Sequence, residues 1–337
     1  MKKKPRILTG DRPTGKLHLG HFVGSLSNRV KLQDDYDEYV LIADVQALTT
    51  NFDHPEKLSN DVRQVAMDNL ACGIDPEKAT IVVQSMVPEI SELSVYYSMF
   101  TSVASLERNP TIKQEIKVLN LKGNVMYGFL GYPVSQAADI TVFKANLVPV
   151  GEDQLPIIEQ TREIVRKFNR LYNEVLVEPK AMVGNVGRLI GTDGQNKMSK
   201  SLGNVIYLAD ETEEIKQKVS KMFTDPTKIR LSDKGHPDKC PVHIYHRTFN
   251  VEDAEVAQIK KDCAQGKLGC VECKEKLSKA LNDFLEPIRQ RRKKYEENPK
   301  KVDEILIAGT KKARKIAMGT LEEVRSAMKI NYFKDQK

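Results

Sequence analysis

Tyr39-Val40-Leu41-Ile42-Ala43 carries no charged or strongly polar side chain, and that continuity constrains the fold more than any other stretch of the chain. A strand with one wet face alternates polar and apolar residues. An unbroken run has to be covered on both faces, which is the condition of a strand inside a parallel sheet. Arg6–Thr9 predicts a strand before it, the β-branched stretch Thr80–Gln84 one after it, and Leu147–Pro149 a short one later. Between and around them lie helix-length segments, at about Leu19 to Gln33, Pro55 to Cys72, Glu89 to Glu107 and Tyr132 to Phe143.

Strands alternating with helices predict an α/β fold built on a Rossmann-like open parallel sheet, assigned to residues 1–203. Beyond Asn204 the strand signal fades into charged, helical periodicity. Residues 204–291 are therefore expected to form a smaller all-helical domain, and residues 292–337 C-terminal helices that pack back toward the sheet. A chain of 337 residues, 40% apolar and 29% charged, can fill two such cores. No apolar run approaches bilayer length. The basic start Met1–Arg6 leads only into Ile7-Leu8, without the core of a signal peptide, so a cytoplasmic chain with no membrane partner is expected.

Open α/β sheets bind ligands at the carboxyl ends of their strands, which directs attention to the loop after the first strand. Gly10-Asp11-Arg12-Pro13-Thr14-Gly15-Lys16 matches the first seven positions of a P-loop. Leu17 stands where a hydroxyl should ligate magnesium, and Pro13 removes an amide donor from the cradle. What remains is a glycine-bearing turn into a helix N-terminus, suited to phosphates. It is followed by His18-Leu19-Gly20-His21, two imidazoles around a glycine. About 180 residues later, Gly191-Thr192-Asp193-Gly194 precedes Lys197-Met198-Ser199-Lys200-Ser201. Either string alone reads as a solvated loop or a helix cap. Together they supply donors and cations for one polyphosphate.

The two strings resemble the signature sequences of the class I aminoacyl-tRNA synthetases, and the resemblance runs from Arg6 to about Tyr207 and more weakly beyond. It implies attack of an amino-acid carboxylate on the α-phosphate of ATP, with Mg2+ on the phosphates, pyrophosphate leaving, and transfer to tRNA afterwards. The catalytic residues it implies are His18, His21, Lys197 and Lys200. Lys113 is a further phosphate-facing candidate that reads equally well as a solvated lysine. The implied nucleotide contacts are Arg12, Pro13, Thr14, Gly20, Gly151, Glu152, Asp153, Leu189, Met198, Ser199 and Ser201, beside His21 and the two lysines.

Tyr132-Pro133-Val134-Ser135-Gln136-Ala137-Ala138-Asp139 and Val148-Pro149-Val150-Gly151-Glu152-Asp153-Gln154 are similar to the amino-acid helix and ATP loop of the tryptophan and tyrosine members. They imply an amino-acid pocket of Leu8, Gly10, Gln46, Tyr132, Gln136, Asp139 and Gln154. Asp139 lies on an apolar helix, where a carboxylate is costly unless it accepts a hydrogen bond. An indole N–H or a phenol O–H would satisfy it, and a salt-bridged structural role is the alternative. Tyrosine members generally carry a tyrosine at Leu8. An apolar wall there leaves a phenol unpaired, at a cost of about 1–3 kcal/mol. The chain thus resembles the tryptophan branch, with L-tryptophan and tRNA(Trp) as substrates. Gln46 and Gln136 depart from the histidine and methionine usual in bacteria, which marks a divergent bacterial branch. A tyrosine–tRNA ligase and a non-catalytic RNA-binding paralogue are the alternatives.

Cys240, Cys263, Cys270 and Cys273 are separated by 22, 6 and 2 residues. In a reducing compartment a metal centre accounts for them better than disulfides. One Cys-x-x-Cys with two dispersed thiols suits a [4Fe–4S] cluster, as in a subset of tryptophan members, with Zn2+ or no metal as alternatives. Arg289–Lys294, Lys300-Lys301 and Lys311–Lys315, in a chain of net charge +7, are expected either to face tRNA phosphates or to form a solvated helix face. The resemblance also implies a homodimer. Leu93–Val103 is the interface candidate, and it reads equally as core.

Overall fold

The structure is a computed structural model that describes residues 4–183 and 189–332; residues 1–3, 184–188 and 333–337, part of the expected segments 1–203 and 292–337, lie outside it. The chain begins with strand β1 (Arg6–Asp11), then a helical run of α1 (Leu19–His21), a π turn (Phe22–Leu26) and α2 (Ser27–Leu32). Next come β2 (Asp37–Ile42), α3 (Asp44–Asn51), α4 (Leu58–Cys72) and β3 (Thr80–Val83). The helices α5 (Pro88–Ser98), α6 (Val103–Arg108), α7 (Pro110–Val118) and α8 (Tyr127–Val142) lead to β4 (Leu147–Val150), α9 (Leu155–Leu171) and β5 (Lys180–Val183). The remainder is helical: α10 (Thr212–Ser220), α11 (Pro241–Phe249), α12 (Asp253–Ala264), α13 (Cys270–Glu296) and α14 (Pro299–Ala327).

The five strands are all parallel, in the order β3-β2-β1-β4-β5. Tyr39 and Leu41 feed the core on one face of the sheet, and Val40 and Ile42 feed the other. This is the double burial that the run in β2 requires. β5 is a half-exposed edge strand of four residues that opens on a lysine and lacks the apolar run of the inner strands, which hides it from sequence analysis. The π turn was also unforeseen. It widens the helix expected over Leu19–Gln33 immediately after His21, and such turns recur at functional sites.

The helical segment shares its core with the sheet. Leu17, Val40 and Val65 lie in one cluster with Ile206, Tyr245, Leu281 and Ile288. α13 runs unbroken through the expected boundary at 291/292. The last helix, α14, crosses the open edge at β3. Val302 and Leu306 join the cluster on one face, and Ala313, Ala317 and Val324 the cluster on the other. At the crossing, Val83 N–H donates to Thr310 Oγ1 at 3.1 Å, which covers an otherwise exposed strand edge. Of the expected interface stretch, Leu93 and Tyr97 are buried, while Val95, Met99 and Val103 are more than half exposed.

Gly309 makes the crossing close, because a Cβ there would stand 2.2 Å from the Ile81 carbonyl oxygen, which belongs to the sheet and cannot swing away. Gly309→Ala is expected to destabilise the fold by about 1–3 kcal/mol through overpacking, read as a lower urea midpoint. Gly319→Ala, where a Cβ meets open space, should leave it unchanged or slightly raised.

Candidate functional site

The site forms where β1 ends. Asp11 accepts two hydrogen bonds from the buried Arg29 guanidinium, which also reaches the Gly10 carbonyl at 3.2 Å and Asn69 at 3.0 Å. This fixes the point at which the backbone leaves the sheet. The loop then pairs with a distant segment. Leu19 N–H donates to Ile206 at 3.0 Å, and Leu208 N–H donates to Leu17 at 3.0 Å. That ladder places the two histidines beside the end of the lysine-bearing loop.

His18 is buried and His21 nearly so, with ring centroids 3.9 Å apart. The His18 amide donates to His21 Nδ1 at 3.2 Å. Burial pulls His18 down to about 3, helped by His21 and the two loop lysines. Burial pulls His21 down to about 4, with Asp11 opposing. Both rings are therefore neutral at physiological pH, and each can present an N–H donor rather than a charge.

The lysine loop is a tight hairpin. Ile190 bridges Lys197, Gly191 N–H donates to Asn196 at 2.7 Å, and Gly194 turns the chain at φ +70°. Asn204 staples it, accepting from Ser199 N–H at 2.7 Å and donating to Asp193 at 3.0 Å. Lys200 Nζ reaches across to the N-terminal loop and donates to the Gly15 carbonyl at 2.8 Å and the Thr14 carbonyl at 3.2 Å. Gly20 N–H lies 3.3 Å from Met198 Sδ. Lys197 is exposed at the mouth, and the Ser199 and Ser201 hydroxyls are 3.0 Å apart. The two strings thus form one site.

A cavity of about 360 Å3 opens beside them at the carboxyl ends of β1 and β4. All seven residues expected in the amino-acid pocket line it: Leu8, Gly10, Gln46, Tyr132, Gln136, Asp139 and Gln154. Arg12 and Gly151 line it too, and Arg12 donates to Thr50 at 2.7 Å. Asp139 is 2% exposed. Burial pushes its carboxyl up to about 7, against the pull of Gln84 and with a further push from Asp44. Gln84 Nε2 donates to both carboxylate oxygens, at 2.8 and 3.0 Å, while its Oε1 accepts from Gln46 N–H. Sequence reading treated Gln84 only as the end of a strand; its polar side chain closing an apolar β-branched run was the available signal.

The turn Gly151–Gln154 is held from α7, where Thr111 Oγ1 donates to the Asp153 carbonyl at 2.8 Å. Lys113, on the same helix, is exposed and does not line the cavity. Pro13 is buried, and Thr14, Glu152 and Asp153 are exposed and do not line the cavity. Leu189 is buried behind the hairpin, where its carbonyl accepts from Met198 N–H.

The expected metal centre finds no support in the arrangement of side chains, and the expected basic surface is smaller than its sequence run. Among the described residues, no group of three or more His, Cys, Asp or Glu side chains is arranged to hold a metal ion. Cys240, Cys263, Cys270 and Cys273 do line one cavity of about 20 Å3. Burial and the neighbouring thiols push Cys273 up to about 12 and Cys263 upward. Within the basic run Arg289–Arg292 the guanidinium groups are engaged by the protein itself, and Arg292 is buried while Arg291 stays exposed. Arg289 binds Glu286 and Asn282, Arg291 Nε donates to the Ala71 carbonyl at 2.6 Å, and Arg292 is buried against Asp68. Lys293, Lys294, Lys300, Lys301, Lys311, Lys312 and Lys315 remain exposed, while Arg314 pairs with Glu89. No helix among the described residues is long and apolar enough to cross a membrane.

Comparison with known proteins gives a consistent picture. The family described as "tRNA synthetases class I (W and Y)" matches residues 1–286. A tryptophan–tRNA ligase of Clostridium longisporum is 55% identical over 335 residues, 98% of each chain. That of Lactococcus lactis is 52% identical over 339 residues, 98% of this chain and 99% of its own. Among solved structures, the tryptophanyl-tRNA synthetase of Campylobacter jejuni complexed with ADP and tryptophan superposes with a TM-score of 0.87. It is 32% identical and covers 96% of this chain and 99% of its own.

The neutral imidazoles carry a consequence for stability. The unfolded chain takes up protons on His18 and His21 below about pH 6.5, whereas the folded chain resists until about 3 and 4, respectively. Stability is therefore expected to fall as the pH drops from about 6.5 toward 4. A His18→Asn/His21→Gln variant should show a flatter urea midpoint over that window.

Proposed function

The chain belongs to the class I tRNA synthetases for tryptophan and tyrosine, and on that premise we infer that it is a tryptophan–tRNA ligase. It activates L-tryptophan with ATP to tryptophanyl-AMP and pyrophosphate, then transfers the amino acid to the 3′ end of tRNA(Trp). The carrying observation is the identity of more than half with curated tryptophan–tRNA ligases over nearly the whole chain. The cavity agrees in chemistry: one buried carboxylate in an apolar pocket walled by Leu8.

The residue roles follow as proposals. Asp139 accepts the indole N–H, oriented by Gln84. The substrate carboxylate then attacks the α-phosphate, and the P–O bond to pyrophosphate breaks. Charge develops on phosphoryl oxygens, so catalysis is chiefly positioning and electrostatic stabilisation. His18 and His21 donate neutral N–H groups to the phosphates. Lys197 and Lys200 supply the cations, Lys200 by leaving the Thr14 and Gly15 carbonyls as the hairpin closes. Magnesium, carried on the phosphates, neutralises part of their charge when bound.

Three finer proposals accompany this reading. The four cysteines hold a metal centre, a [4Fe–4S] cluster or a zinc ion, supported by their convergence on one cavity from separate segments. Iron, sulfide and zinc analysis of anaerobically purified protein should find stoichiometric metal, and a metal-free folded protein would reject it. The exposed face of Val95, Met99 and Val103 is the candidate contact of a homodimer. The exposed lysines of α13 and α14 offer phosphate contacts for tRNA.

Amino-acid-dependent ATP–pyrophosphate exchange tests the reaction and the substrate. Exchange with tryptophan and little with tyrosine is expected; exchange with tyrosine would overturn the substrate, and none with either the reaction. Because the ionised carboxylate is the stronger acceptor for an indole N–H, kcat/KM for tryptophan should fall as pH drops below about 7. Gln84→Met removes the donors that favour ionisation and should move that fall to higher pH.

A further inference from the structure

The helix α13 grips the turn at His18–His21 from both sides, and its arginine does so through buried charge. Asp68, on α4, is fully buried, and its Oδ2 accepts from the Leu17 amide at 2.6 Å. Its Oδ1 accepts from Arg292 of α13, itself 2% exposed and further bonded to Gln64 and to Glu296. Leu17 is the residue whose carbonyl accepts from Leu208, and His18 follows it directly. On the other side, Phe284 of the same helix packs edge-on against Phe22, the residue after His21, with ring centroids 5.0 Å apart.

We infer that Asp68 and Arg292 are positioning residues for adenylate formation, fixing the Leu17 amide and with it the two imidazoles that follow. The reason is chemical. A buried carboxylate and guanidinium packed away from water cost desolvation that an apolar pair would avoid, so the ion pair by itself adds little stability. An apolar pair could fill the same space, but it could not accept the Leu17 N–H. A shift of about 1 Å at the imidazoles would be costly to a reaction that depends on placing donors around a phosphorus. Neither residue touches the cavity that holds the amino acid, so binding of that substrate is independent of the pair.

This inference rests on the adenylate-forming reading, and the wild-type exchange assay tests that reading separately. Three variants decide the inference: Arg292→Lys, Arg292→Met, and the double replacement Asp68→Leu/Arg292→Met. The double variant removes both charges together, so it leaves no uncompensated buried ion and keeps the protein folded even where Arg292→Met alone does not. Each is assayed for tryptophan-dependent exchange, for KM of tryptophan, and for its urea midpoint. The expected result is a kcat lowered about tenfold or more in the double variant, with KM for tryptophan within about twofold of wild type and a cooperative unfolding transition retained, its urea midpoint lowered only by the unpaired Leu17 N–H. Arg292→Lys, which keeps a cation beside Asp68, should recover part of the rate. A double variant that regains stability and wild-type kcat together would overturn the inference and leave the pair a structural one. So would a KM for tryptophan rising in step with the loss of kcat.

Discussion

Two backbone hydrogen bonds, between Leu17–Leu19 and Ile206–Leu208, make this site possible. They join segments almost two hundred residues apart, one entering the first helix and the other leaving the lysine hairpin. Without them the imidazoles and the lysines would belong to separate loops. Around that ladder the structure spends buried charge. Asp11 and Arg29 fix the end of β1, and Asp68 and Arg292 fix Leu17. Such pairs add little net stability but are strongly directional, which suits a reaction run by placement.

The electrostatics divide into a neutral and a mobile part. His18 and His21 are deprived of charge by burial, so they add no fixed cations to the phosphate site. The positive charge sits instead on the lysine hairpin. Lys200 rests on backbone carbonyls of the loop opposite, where burial lowers its pKa against the opposing pull of Asp68, Asp61 and Asp11. Carbonyls are weaker partners for an ammonium than phosphate oxygens. On the proposed reading, that resting position is one that a bound polyphosphate outcompetes.

Much of this was legible in the sequence because it was written locally. The unbroken run in β2 declared a doubly covered parallel strand, and both signature strings and all seven pocket residues converged as their positions implied. What was missed depends on partners far along the chain. Gln84, in the turn just past β3, holds Asp139 on α8, and Arg292 sits in a basic run that composition assigns to the surface, yet its partner is 224 residues away. The edge strand β5 has only four residues, and the π turn departs from α-geometry without changing the apolar period. Cysteine spacing placed four thiols together, but spacing carries no information on whether they arrive as thiolates.

The chain contains no tryptophan, so the indole fluorescence of bound substrate can be read against no protein background. Stopped-flow titration of wild type and Lys200→Ala with L-tryptophan, followed by ATP, separates binding from chemistry. The account predicts the same blue shift and affinity for tryptophan in both proteins, with adenylate formation slowed about a hundredfold or more in the variant. Equal losses in binding and in chemistry, or a variant that forms adenylate at the wild-type rate, would contradict it.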